Sequence, residues 1–181
     1  MVTFSYGELS HPHLKREVII KERVKESKKS DEILGSSSIY FGLSEGKFIE
    51  HKEKTKEKIK KMIMEKMPEK IFSHSPEDPH PDHRAVFMLV TEVFDSLDEN
   101  FKNKCSVYSF PVWNLFNLYR RSNPQLIVNI NRTFKDKIRA IKAHKSQRMT
   151  IIALIFTIFF RAMFSGMKNN MKYAEVFSKE R

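Results

Sequence analysis

The stretch Glu77-Asp78-Pro79-His80-Pro81-Asp82-His83-Arg84 constrains this chain more than any other, because it sets two imidazoles and several carboxylates directly ahead of an amphipathic run. Pro79 and Pro81 fix φ and push the residues before them into extended geometry, so His80 and Asp82 are expected in a rigid loop with their side chains splayed outward. Downstream, Ala85, Val86, Leu89, Val90, Val93, Phe94 and Leu97 recur at three- and four-residue spacing, which predicts a helix starting near Asp82 or His83. His83 then stands at a helix N-terminus, where orphan amides gather and an anion is welcome. As a purely structural loop, Asp82 would be the cap and the prolines turn formers. Two histidines flanking Pro-Asp point further, to a metal or acid/base constellation.

The rest of the chain reads as alternating strand and helix. Strands are expected over Val2 to Ser5, Ser38 to Leu43, Lys70 to His74, Ser106 to Trp113 and Leu126 to Ile130. Helices are expected over Leu14 to Leu34, His51 to Met67 and Phe134 to Lys145, besides the one after the His-Pro loop. Such alternation predicts an α/β fold, a sandwich around a mainly parallel sheet, with ligands beyond the carboxyl ends of the strands. The loop after Lys70 to His74 lies there. With 181 residues and no low-complexity linker, residues 1–181 read as one domain.

These motifs carry a family resemblance. His80-Pro81-Asp82-His83 resembles the second metal motif of the LmbE-like or PIG-L family of zinc-dependent N-acetylglucosamine deacetylases. Ser5-Tyr6-Gly7-Glu8 is similar to that family's Thr-x-Gly-Glu turn. Arg23 and Glu26 followed by Leu34-Gly35 are similar to its Arg-x-x-Glu…Leu-Gly helix. Lys137, Ala140, Ala143, His144, Ser146 and Gln147 resemble its Lys…Ala…His-x-Ser-Gln segment, and Tyr173-Ala174-Glu175-Val176-Phe177 its late Ala-Glu-x-Phe. The family's opening strand, ending in His-Pro-Asp-Asp, has no counterpart before Met1-Val2-Thr3-Phe4. The expectation is therefore a three-layer, Rossmann-like, LmbE-like domain with its first strand missing, leaving open edges on the strands at Val2 to Ser5 and Lys70 to His74. Ser10-His11-Pro12-His13 follows the Gly-Glu turn and lacks carboxylates, so His11 and His13 read as loop residues.

An acetamide is a poor electrophile, and a zinc ion on three protein ligands supplies both a nucleophile and a Lewis acid. By motif position the resemblance implies His83 as the third zinc ligand and His80 as the imidazole that stabilises the oxyanion or protonates the leaving amine. It implies Asp82 as the carboxylate that orients His80, with Asp78 bracing the loop. The substrate implied is an N-acetylated amino sugar of the N-acetylglucosamine type. The alternative is a truncated or degenerate, non-catalytic member that keeps a sugar-binding framework, since the chain shows one of three zinc ligands. His144, Glu45, Trp113 and Tyr119 stay without assigned roles, and His74 reads as a strand-end residue.

Charge and composition narrow the partners. The net charge is +11, but the lysines crowd into Lys52 to Lys70, interleaved with Glu53, Glu57, Glu65 and Glu69 around Ile59, Met62, Ile63 and Met67. That is a solvated helix face, and nucleic acid is not an expected partner. A single cysteine, Cys105, excludes an intramolecular disulfide. With no apolar leader ahead of Val2, a cytoplasmic setting is expected. The apolar run Met149 to Phe160 reads as too short to cross a bilayer and as a helix buried against the sheet, with membrane-surface contact and homo-oligomerisation left open.

Overall fold

The computed structural model describes residues 1–8, 15–113 and 123–181, so the His11, His13 and Tyr119 readings lie outside the described residues. Its Cα packing divides the chain into two compact units, residues 1–45 with 128–175 and residues 46–127 with 176–181.

In the first unit β1 (Val2–Thr3) pairs in parallel with β2 (Ile39–Tyr40), Val2 opposite Ile39. Between them runs α1 (Arg16–Leu34), which Gly35 ends in the left-handed region, its N–H returning to the Asp31 carbonyl. Glycine is the residue that takes φ of 63° at no steric cost, and that closes the helix. The unit continues with α5 (Phe134–Lys142), a short 3₁₀ turn over Lys145–Gln147 and α6 (Arg148–Lys168). Ile130, Phe134 and Ala162 form a buried cluster, with Val128, Ile138 and Tyr173 packed on it.

The second unit carries the His-Pro loop. α2 (Lys52–Lys66) buries Thr55, Ile59 and Ile63 and turns Lys54, Lys58, Lys60, Lys61 and Lys66 outward, with Lys52 and Lys56 half-buried. β3 (Lys70–His74) pairs in parallel with β4 (Ser106–Phe110), Lys70 opposite Ser106 and His74 opposite Phe110. α3 (Pro81–Asp95) and the short α4 (Glu99–Lys102) connect them. β5 (Gln125–Asn129) and β6 (Ala174–Lys179) complete a sheet of order β3-β4-β6-β5, with β6 antiparallel to β4 through Ser109–Ser178 and Tyr108–Lys179. The α/β class stands, with parallel pairing at β1–β2 and β3–β4 and an antiparallel strand at β6.

Two expectations about α6 are corrected. The apolar run continues through Phe164 to Lys168 in one 21-residue helix, long and apolar enough to cross a bilayer by length and composition. Nor is it buried: only 17% of its apolar window is inside the protein. Arg161 punctuates the run without breaking the helix, because arginine is a good helix former.

Candidate active site

The loop after β3 is built by the prolines. Pro81 occupies the first turn of α3, and the residue before it, His80, is held extended at ψ 124° and caps the helix. The cap is therefore His80 and not Asp82: the His80 ring Nδ1 accepts the Asp82 backbone N–H at 3.2 Å. α3 itself buries Ala85, Val86, Leu89, Val90, Val93 and Phe94, the apolar set that predicted it.

Asp78 organises the loop. Its side chain is fully buried, and Oδ1 lies 2.9 Å from His83 Nδ1 while accepting the His80 N–H at 3.0 Å. Oδ2 accepts the Val112 N–H at 3.1 Å. Burial raises the pKa of this carboxyl, but the His80 and Val112 amides and His83 outweigh it and hold Asp78 below its ordinary value. An ionised Asp78 makes His83 Nδ1 the donor, so the His83 lone pair resides on Nε2. Arg84 Nη1 ties the loop down further by donating to the Asp78 and Pro79 carbonyls at 2.8 and 2.9 Å.

Three imidazoles gather here. His74, at the end of β3, stacks on His83 with ring centroids 4.0 Å apart, and His80 lies 4.8 Å from His83. Burial pulls His74 down to about 4, with the neighbouring histidines adding to the fall and Asp78 opposing it. Burial also lowers His83, against the pull of Asp78. At neutral pH both rings are uncharged, the form that presents a lone pair. His80 is exposed to solvent beside them.

The Asp82 carboxylate holds a turn earlier in the chain. Both its oxygens accept the Gly46 N–H, at 3.1 and 3.0 Å, so it ties the turn at Gly46 to the first turn of α3. The sequence presents His74 as a plain strand end; its stacking on His83 needs the end of β3 and the first turn of α3 to meet, which no local pattern announces.

In the first unit the remaining motifs meet one another. The buried Glu26 of α1 accepts the Ser146 N–H and hydroxyl, both at 2.6 Å. His144, lowered by burial despite Glu26, is beside this joint. Arg23 donates to the Tyr6 carbonyl at 3.1 Å and is countered by Glu45, Glu26 and Glu8, which gives Glu45 an electrostatic partner. Lys137 is ion-paired to Glu175. Burial and the charge of Arg161 nevertheless bring Lys137 down to about 8. Trp113 is 38% exposed.

The metal expected from the resemblance finds one suitable residue, His83, whose Nε2 is left open by the Asp78 contact. No group of three or more His, Cys, Asp or Glu side chains able to hold a metal is present among the described residues. A three-ligand zinc centre does not fit them.

The family model described as PIG-L, GlcNAc-PI de-N-acetylase, matches residues 1–94, which include the His-Pro-Asp-His loop. No curated protein sequence matches the chain. Among solved structures, GalB, the 4-carboxy-2-hydroxymuconate hydratase of Pseudomonas putida, is similar with a TM-score of 0.81 and 20% identity, over 99% of this chain and 82% of that one. The N,N'-diacetylchitobiose deacetylase of Pyrococcus horikoshii gives 0.76 and 23%, over 99% and 71%. A deacetylase of teicoplanin biosynthesis gives 0.73 and 12%, over 98% and 84%. At these identities the structural likeness establishes the fold, and the fold hosts a hydratase as well as deacetylases.

Proposed function

The chain belongs to the PIG-L family, and from that premise we propose that it is a deacetylase, an amide hydrolase that removes the acetyl group from an N-acetylglucosamine-type sugar. The observation that carries this reading is the His-Pro-Asp-His loop inside the matched residues, folded so that a buried carboxylate holds His83 and a backbone amide holds His80.

Each histidine then has a defined proton inventory. His80 accepts at Nδ1, so its neutral ring carries the proton on Nε2, and that N–H is the donor for the oxygen that gains charge as the acetamide carbonyl is attacked. A neutral ring has no acidic proton to give the departing amine, so the role proposed for His80 is this hydrogen bond to the developing oxyanion. His83 donates at Nδ1 to Asp78 and keeps its Nε2 lone pair for a metal, proposed as zinc. Such an ion would acidify water and polarise the carbonyl, with His83 as the one ligand these residues would offer it. The described residues supply one of the ligands it takes, so no step is routed through it.

The test is acetate release from N,N'-diacetylchitobiose and from N-acetylglucosaminyl-phosphatidylinositol. The expected result is turnover by the wild type, a loss of roughly 10²–10⁴-fold in His80→Ala and no detectable turnover in His83→Ala. The incomplete metal group favours one alternative, a non-catalytic member that binds the sugar. Saturable sugar binding with no acetate from the wild type would establish that alternative instead.

A further inference from the structure

α6 turns an unbroken apolar face outward. Met149, Ile152, Phe156, Phe160, Phe164 and Met167 recur at three- and four-residue spacing, and they are 81, 47, 64, 50, 56 and 65% exposed. At 1.5 Å per residue the stripe from Met149 to Met167 runs along about 27 Å of this 21-residue helix. Such a contiguous patch marks a surface that something covers.

The charge around the stripe selects what covers it. From Lys137 to Ala174 the chain has no Asp or Glu, while Lys137, Arg139, Lys142, Lys145, Arg148, Arg161, Lys168 and Lys172 fall within it. Of these, Lys145 and Arg148 flank the start of the stripe and Lys168 and Lys172 its end, all exposed. Two copies meeting through α6 would bring these like charges together. An anionic surface would meet them with opposite charge.

We propose that α6 docks in the plane of an anionic phospholipid surface, with its Phe and Met stripe in the boundary between headgroups and acyl chains and its terminal lysines and arginines on the phosphates. The helix lies along the surface and does not cross it, because its opposite side is part of the protein. Ala162 is 3% exposed in the cluster with Ile130 and Phe134, and Gly166 packs so closely that an added Cβ would lie 2.7 Å from the Lys172 backbone. This inference stands on the surface of α6 and is independent of the deacetylase reading.

The experiment is co-sedimentation of the whole chain with vesicles of equimolar phosphatidylglycerol and phosphatidylcholine, against vesicles of phosphatidylcholine alone, with sedimentation velocity in vesicle-free buffer. The expected result is binding at least about tenfold tighter to the anionic vesicles, weakened by salt. The triple variant Phe156→Gln/Phe160→Gln/Phe164→Gln, at exposed positions, is expected to bind about tenfold or more weakly with an unchanged far-ultraviolet spectrum. If that variant misfolds, Lys145→Gln/Arg148→Gln/Lys168→Gln/Lys172→Gln serves instead and is expected to lose the preference for anionic vesicles. Val18→Gln, exposed on α1, is expected to change nothing. The proposal is overturned if the wild type ignores anionic vesicles, if neither set of substitutions weakens binding, or if the wild type is a dimer that the phenylalanine substitutions disperse.

Discussion

Asp78 and His83, five residues apart, are joined across the first turn of α3, with Asp78 Oδ1 2.9 Å from His83 Nδ1. The same carboxylate holds the amides of His80 and Val112, so one buried side chain orients one imidazole and fixes the backbone of the other. Asp78→Ala leaves two amides and a ring N–H without their acceptor. Urea denaturation is expected to show a loss of about 2–3 kcal/mol. Acetate release is expected to fall roughly 10–100-fold in Asp78→Asn, which preserves shape but not charge. A variant as active as the wild type would mean that His83 needs no orientation.

Glu26, buried, and Ser146, half-buried, lie 120 positions apart and share two short hydrogen bonds. Glu26→Ala is expected to cost about 2–3 kcal/mol by urea denaturation, and Ser146→Ala about 1 kcal/mol, since the Ser146 N–H bond survives. A double-mutant cycle checks the pairing. Additive losses would show that the two residues stabilise the first unit separately.

Gly7 and Gly35 both sit at positive φ, 72° and 63°, but only Gly7 is crowded. A Cβ at Gly7 would collide with the Arg23 guanidinium, whereas nothing lies within 4 Å of one at Gly35. Gly35→Ala is expected to cost about 1 kcal/mol from the left-handed backbone alone. Gly7→Ala is expected to cost at least about 2 kcal/mol, because Arg23 must also leave the Tyr6 carbonyl. Equal melting shifts in the two variants would contradict this account.

Ser36 Oγ donates to the Asp31 carboxylate at 2.7 Å, at the end of α1. Burial raises the Asp31 pKa, but hydrogen bonds from Ser36 and Ser38 overcome it and leave the group below its ordinary 3.8. A carboxyl depressed in the folded state adds stability above its unfolded pKa, and that stability is lost as the pH falls through the folded value. Ser36→Ala is therefore expected to destabilise by about 1 kcal/mol at neutral pH, with the difference from wild type shrinking once the pH drops below about 4. A difference that persists at lower pH would place the effect outside this ionisation.

What repeats locally is legible in the order of the amino acids. The spacing of Ala85, Leu89, Val93 and their neighbours announces α3, Lys70–His74 is the strand expected, and the two prolines announce the extended His80. These follow from backbone sterics and from the 3.6-residue period, which each segment carries alone. Asp82, expected to splay outward from the loop, is buried in the first turn of α3. Pro81 also had the power to name the helix cap, yet Asp82 looked the better candidate, because carboxylates cap more often than imidazoles. Tertiary structure alone decided the partners. Asp82 bonds Gly46, 36 positions away; His74 stacks on His83; Glu26 closes on Ser146. It also decided which side of α6 meets the protein, leaving Phe156 and Phe164 outside where an apolar run suggested burial. A hydrophobic period states that a face exists; which atoms cover it, and which buried donor meets which acceptor, depends on segments far apart in the chain arriving at one place.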